Sequence, residues 1–157
     1  MTAQSLKTQK GFTLIELLVV IGILAILLAI TLIAINPARQ FGLANDTKRQ
    51  NDVTQILSAI GQYSAANAGN LPGGIASAAA ATDITGGNFP TLCDALIPNY
   101  IPALPVDPSA NDQDGIDVSE CGGGAWDTQG YQISVDGNNR VTVTATGYDG
   151  STIQVTR

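Results

Sequence analysis

The chain has 157 residues and a formal net charge of −6, with 7 lysines and arginines against 13 aspartates and glutamates. This length fits one compact domain with an appendage, and the acidic balance argues against binding nucleic acid through a broad basic face. The chain contains no histidine, which excludes Ser/His/Asp and Cys/His nucleophile systems and every zinc site that needs histidine.

The N-terminal segment is a candidate membrane anchor. Residues 1–11 are polar and carry Lys7 and Lys10 without an acid, whereas residues 12–36 are almost entirely apolar. The uncharged run from Leu17 to Ile35 would form about 28 Å of helix, close to the roughly 30 Å of a bilayer's hydrocarbon core. The two lysines predict a cytoplasmic N-terminus. A secretory signal peptide would have a shorter apolar core followed by a small-x-small cleavage site; the sequence after Ile35 offers none, so we expect the helix to stay in the mature protein.

Glu16 is the one acid inside this apolar segment. A carboxylate at mid-membrane costs roughly 2.5–3.5 kcal/mol on insertion scales, and less near the interface. The simpler interpretation is an interfacial acid that reaches the headgroups or is protonated. The alternative is a charge kept for a partner, which would have to come from elsewhere because the segment holds no base.

The residues around Glu16 resemble a known signature. Residues 10–20, KGFTLIELLVV, are similar to the N-terminus of type IV pilins and type II secretion pseudopilins: a basic leader ending in glycine, then phenylalanine, then glutamate four residues later. The resemblance implies that residues 1–11 are a leader, that a prepilin peptidase cuts between Gly11 and Phe12, and that the same enzyme methylates the new Phe12 amine. It also implies that Glu16 pairs with the Phe12 amine of a neighbouring subunit, which would lower the cost of two charges in a low dielectric.

Residues 37–68 are predicted to form a second, amphipathic helix. Asn36-Pro37 should interrupt the apolar helix, because proline disfavours helix at the residue before it and removes one backbone bond. Beyond it, apolar side chains recur at helical spacing and predict packing against the chain's own core; they are Val53, Ile56, Leu57, Ile60 and Tyr63. The polar residues of this helix are expected mostly on its other faces.

Residues 69–128 are predicted to form a long connection between the amphipathic helix and the C-terminal strands. Residues 73–92 are rich in Gly, Ala, Ser and Thr and predict a surface loop with at most one short helical turn. The proline-rich stretch 92–108 resembles a segment of pseudopilins in which a short helix leads into a Leu-Pro-x-Asp-Pro turn, here Leu104 to Pro108.

Residues 129–157 alternate between apolar and polar side chains and carry two turn sequences, Asp-Gly-Asn-Asn at 136–139 and Tyr-Asp-Gly-Ser at 148–151. This pattern predicts three antiparallel strands with one apolar face for the amphipathic helix to cover. The expected fold is therefore α+β: a long N-terminal helix, half in the membrane and half packed on a small antiparallel sheet, which is also the shape that the resemblance to pilins implies.

Cys93 and Cys121 are the two cysteines of the chain. The predicted topology places both outside the cytoplasm, where an even number of cysteines favours a disulfide. The bond would contribute about 3–4 kcal/mol on a chain-entropy estimate. Two free buried thiols are the alternative.

An acidic loop lies between the proline-rich stretch and the strands. Its oxygens suit calcium, and some secretion pseudopilins hold calcium in a loop after the Leu-Pro-x-Asp-Pro segment, but the spacing does not fit an EF-hand. We therefore expect a solvated loop and no cofactor, with calcium as the alternative. The acidic residues of the loop are Asp107, Asp112, Asp114, Asp117 and Glu120, and the first four are the candidate ligands.

The sequence predicts a structural subunit rather than an enzyme, because it lacks histidine, a nucleophile motif and a phosphate-binding loop. The resemblance implies a homopolymeric type IV pilus-like filament, built from the inner membrane with prepilin peptidase, an assembly platform and minor pilins as partners. A pseudopilin of a secretion or competence system is the first alternative. A monomeric membrane-anchored binding protein is the second, although it would need neither the Gly11-Phe12 junction nor Glu16.

Overall fold

The computed structural model describes residues 11–111 and 113–157. This part of the chain divides into two compact units, one ending at Gln40 and one running from Phe41 to Arg157, which we call the head. The elements, in chain order, are α1 (Leu14–Ile35), α2 (Pro37–Ala66), a 3-10 turn (Ile75–Ser77), β1 (Thr82–Thr85), α3 (Leu92–Leu96), α4 (Val118–Cys121), β2 (Asp127–Val135), β3 (Val141–Thr146) and β4 (Thr152–Thr156).

Helix α1 is apolar on all sides and none of its residues is buried. It is long and apolar enough to cross a membrane, with a mean hydropathy of 3.3. The helix ends at Ile35, and Asn36 takes a left-handed conformation with φ 48°. The Asn36 carbonyl then accepts the Arg39 N–H at 3.1 Å, so α2 starts at Pro37, as expected from the fixed φ and missing N–H of a proline in a first helical turn.

Helix α2 packs its predicted apolar stripe against the core of the head. Val53, Ile56, Leu57 and Ile60 are buried, and Tyr63 packs partly buried against the same core. Near its start, Gly42 lies under the ring of Tyr148, and a Cβ at position 42 would overlap that ring. A glycine is therefore required where the loop between β3 and β4 meets the helix.

The sheet is an antiparallel meander in the order β1-β2-β3-β4. Val143 of β3 pairs with Ile133 of β2 on one side and with Val155 of β4 on the other, which fixes the register of one apolar face. Tyr131, Ile133 and Val143 on this face are buried at 0–1% exposure. The structure confirms the α+β fold and the three predicted strands.

The prediction of a loop throughout residues 73–92 is wrong at Thr82–Thr85. These residues form β1, a fourth strand that pairs with β2 through Thr82↔Ile133 and Asp83↔Gln132. Four residues with little apolar content carry almost no strand signal by themselves, and β1 forms because β2 offers it a partner edge. The predicted short helical turn is present just before it, at Ile75–Ser77.

A disulfide joins α3 to α4. Cys93 and Cys121 are bonded, with their Cα atoms 5.3 Å apart and a sequence separation of 28. Both are buried in the main core. The bond therefore ties the proline-rich connection to the loop that precedes β2.

Candidate functional site

The predicted cleavage junction lies just before the first turn of α1. Gly11 and Phe12 precede the helix, and the Phe12 side chain is 83% exposed. Thr13 is the N-cap, with φ −81° and ψ 151°, which marks the end of extended chain and the start of helix. The Gly11–Phe12 peptide bond is thus in exposed, non-helical backbone.

Glu16 closes a capping box with Thr13. Its Oε2 accepts the Thr13 backbone N–H at 2.8 Å and the Thr13 hydroxyl at 2.6 Å, while the Glu16 N–H donates to Thr13 Oγ1 at 3.3 Å. These bonds satisfy backbone donors that a helix start otherwise leaves unpaired. Both ion pairs among the described residues involve Arg49 instead, so Glu16 has no cationic partner within that part of the chain.

A second polar cluster, centred on Arg49, lies inside the head. Arg49 Nε donates to Asp107 Oδ2 at 2.7 Å and Nη2 donates to Asp107 Oδ1 at 2.9 Å. Nη2 also donates to Ser109 Oγ at 2.7 Å, and Nη1 donates to Asp46 Oδ1 at 2.8 Å. This two-pronged geometry is the strong form of a charged hydrogen bond, and it fastens the Leu-Pro-x-Asp-Pro turn to α2.

The charges of this pair support each other. Burial works to raise the pKa of Asp107, but the hydrogen bonds from Arg49 and Ser109 and the Arg49 charge outweigh it and hold that pKa below its ordinary value. The hydrogen bond to Asp107 likewise raises the pKa of Arg49. Asp107 and Arg49 are each 7% exposed. Water therefore solvates neither charge well, and each charge is stabilised by the other.

Two further contacts extend the cluster. Asp46 Oδ1 also accepts the backbone N–H of Tyr148 at 2.8 Å, which holds the loop between β3 and β4. Asp52 Oδ2 accepts the hydroxyl of Tyr131 at 2.7 Å from the middle of β2. Burial, followed by the hydrogen bond to Asp52, raises the pKa of Tyr131.

The expectation that polar residues of α2 lie off its buried face is wrong for Arg49 and Asp52. Both are buried, at 7% and 5% exposure. A signal was present in the sequence, because Arg49 stands four residues before Val53 and Asp52 four residues before Ile56, which continues the apolar stripe. Their partners Asp107 and Tyr131 lie 58 and 79 residues away, and no local pattern identifies them.

Among the described residues of the acidic loop, Asp107 and Asp117 have different partners. Asp107 is bound to Arg49, so the solvated-loop interpretation is wrong for it. Asp117 caps α4 by accepting the Ser119 N–H at 2.7 Å, and Glu120 accepts the Asp117 N–H at 3.0 Å. Asp112 lies outside the described residues. Among residues 11–111 and 113–157, no three acidic or cysteine side chains stand together as a metal site would need.

One comparison with known proteins gives a match, and it lies at the N-terminus. Residues 6–32 match the family model described as "Prokaryotic N-terminal methylation motif". No curated protein and no solved structure matches the chain. The matched residues include the exposed Gly11-Phe12 junction, the Thr13–Glu16 capping box and most of α1. The chain therefore carries the prokaryotic N-terminal methylation motif, the class III prepilin signal of type IV pilins and pseudopilins.

Proposed function

We propose that the chain is a structural subunit of a type IV pilus-like filament. A prepilin peptidase cuts between Gly11 and Phe12 and methylates the Phe12 amine, and the subunit then waits in the inner membrane with its N-terminus in the cytoplasm. Assembly moves α1 from the bilayer into the filament and brings the head to the surface. The observation that carries this proposal is the methylation motif over residues 6–32, placed directly before an apolar helix with no buried residue.

The partners follow from this role. They are further copies of the chain, minor pilins, the prepilin peptidase, the assembly platform of the membrane and the bilayer itself. The net charge of −6 opposes direct nucleic-acid binding by this subunit. No catalytic role is assigned to it.

Mass spectrometry of a sheared cell-surface fraction tests the proposal. We expect a chain that starts at N-methylated Phe12. A processed chain found only in membranes would favour a secretion or competence pseudopilin. A chain that keeps residues 1–11 in its native cell would contradict the proposal and favour a monomeric membrane-anchored binding protein.

Glu16 is proposed to recognise the Phe12 amine of the neighbouring subunit. Its Oε2 accepts hydrogen bonds from the backbone N–H and the hydroxyl of Thr13. The second carboxylate oxygen, Oε1, is then the one that would accept hydrogen bonds from an ammonium group. We expect Glu16→Ala to insert in the membrane and to be cleaved but to form few filaments, because the neighbouring amine would be left unpaired in an apolar core. Thr31→Ala is the matched control, since the Thr31 hydroxyl donates only to Leu28 of its own helix. Normal filament yield from Glu16→Ala would contradict this role.

A further inference from the structure

A polar cleft lies on the head where the start of α2 meets the loop between β3 and β4. Its volume is about 430 Å³, which falls within the roughly 300–1,000 Å³ of small-molecule sites. We call it the Tyr148 cleft. The lining residues that carry its chemistry are Asn45, Arg49, Asp107, Gln129, Thr146 and Tyr148.

The charged groups at the Tyr148 cleft are already paired. Arg49 and Asp107 are buried and bonded to each other, and Asp46 adds a second carboxylate to Arg49. One positive charge against two negative charges disfavours an anionic ligand. Asp107 is the one acid among the described residues that line the cleft, and both of its oxygens accept hydrogen bonds from Arg49, so it is not free to bind a cation. The cleft therefore suits a neutral ligand.

Neutral polar side chains accompany the charge pair. Asn45 is half-buried, Gln129 and Thr146 are exposed, and none of these three side chains has a hydrogen bond within the described part of the chain. Four of the five N–H groups of Arg49 donate hydrogen bonds, and the fifth, on Nη1, has no acceptor among the same residues. The cleft thus offers amide, hydroxyl and guanidinium groups, which complement a ligand with several hydroxyl groups.

Tyr148 adds an aromatic surface to these polar groups. One face of its ring lies against the backbone of Gly42, and Tyr148 is still 56% exposed. The backbone N–H of Tyr148 donates to Asp46 at 2.8 Å, so the loop that carries the ring is held in place before any ligand arrives. An aromatic face attracts C–H groups, and a sugar ring presents C–H groups on one side and hydroxyl groups around its edge.

Gln129 has a backbone conformation that favours glycine. Its φ is 56°, in the left-handed region that glycine adopts without a steric penalty, and its N–H donates to Asp127 Oδ1 at 2.7 Å. The Gln129 side chain makes no hydrogen bond within the described residues, so the fold gives no reason for a glutamine here. Residues held in such conformations cluster at ligand sites, and Gln129 stands at the edge of the Tyr148 cleft.

We propose that the Tyr148 cleft binds one neutral hexose unit. The Tyr148 ring stacks on the C–H side of the sugar, and the side chains of Asn45, Gln129 and Thr146 bond its hydroxyl groups. All of these residues belong to the head, so binding does not require assembly into a filament. The proposal adds a carbohydrate-binding site to a chain whose proposed role is structural.

Saturation-transfer NMR of the full-length chain tests the site. Dodecylphosphocholine micelles suit the measurement because this detergent has no sugar headgroup. The probes are the methyl glycosides of glucose, galactose and mannose, with glucuronate as the charged counterpart. At least one methyl glycoside should bind with a millimolar Kd, and glucuronate should bind about tenfold more weakly because of the excess negative charge. Binding of none of the three glycosides, or equal binding of glucuronate, would overturn the proposal.

Gln129→Gly separates binding from folding. The change removes the amide and suits the left-handed backbone, so the melting temperature should not fall, while the affinity for the bound glycoside should drop about tenfold. Asn139→Gly is the matched control, because Asn139 has φ 60° and does not line the Tyr148 cleft; it should bind the glycoside as the wild type does. Tyr148→Leu should also lose binding, since it removes the aromatic face.

Two results from these variants would contradict the assignment. One is unchanged affinity in both Gln129→Gly and Tyr148→Leu, which would place the sugar elsewhere. The other is an equal loss of affinity in Asn139→Gly, which would show a general effect of the glycine. None of these measurements needs a filament, so they give the same answer whether or not the proposed function holds.

Discussion

Replacing Arg49 by methionine should destabilise the head strongly. Arg49 donates four hydrogen bonds, two of them to Asp107, and methionine keeps the apolar stem while removing all four. Asp107, at 7% exposure, would be left as a buried charge without a counterion. Breaking one side of a buried pair costs about 3–5 kcal/mol, and a domain of this size loses roughly 3 °C in melting temperature per kcal/mol. We therefore expect a fall on the order of 10 °C.

The loss should depend on pH in a defined direction. In the wild type, Asp107 has a lowered pKa, so its contribution is present above the ordinary carboxyl pKa and is lost as pH falls through the folded-state value. In Arg49→Met the counterion is gone and burial remains, so the pKa of Asp107 rises, and protonation relieves the unpaired charge. The gap between the two proteins should be widest near pH 7. It should begin to narrow above the ordinary carboxyl pKa of about 4, where Asp107 of the variant takes up its proton, and should narrow further below that pH as the wild-type pair loses its charge.

Thermal unfolding of the full-length chain in detergent, followed by near-ultraviolet circular dichroism, measures this gap. Lys48→Met is the matched control, because it removes the same charge from an exposed neighbour on α2. Arg49→Met/Asp107→Asn should recover much of the lost stability, since no charge is then stranded. Equal losses for Arg49→Met and Lys48→Met, or a gap that does not change with pH, would refute the reasoning.

Three further predictions concern the head, each checked by the same unfolding measurement. Tyr131→Phe should cost about 1–3 kcal/mol, because the buried Asp52 carboxylate loses its donor; an unchanged melting temperature would contradict this. Reducing the Cys93–Cys121 bond should cost about 3–4 kcal/mol on a chain-entropy estimate, and Cys93→Ser/Cys121→Ser should match the reduced wild type. Millimolar calcium should leave the melting temperature unchanged, since Asp107 is already committed to Arg49; a rise would identify a calcium site in the acidic loop.

The elements with a local pattern were predictable from the sequence. The apolar run gives α1, the i, i+3, i+4 stripe gives α2, and period-two alternation between turn sequences gives β2 to β4. The methylation motif over residues 6–32 was equally accessible, because it is contiguous in the chain.

The features that depend on distant partners were not predictable. Strand β1 has four residues and exists through its pairing with β2. Arg49 continues the apolar stripe of α2, but nothing in either segment identifies Asp107 as its partner, and the two meet only because the fold brings together residues 58 positions apart. The depth of burial that turns them into a structural pair is a property of the packed head rather than of either segment.

For the filament proposed above, the absence of buried residues in α1 has a consequence for the energetics of assembly. In the bilayer this helix is already surrounded by hydrocarbon, and lipid tails are about as apolar as leucine. Moving it into a bundle of identical helices exchanges one apolar surrounding for another, so the hydrophobic effect contributes little to the difference. In the proposed assembly, the free-energy difference between bilayer and filament would then come from polar groups that lipid cannot solvate, the Glu16 carboxylate among them, and from the water-exposed surfaces of the head.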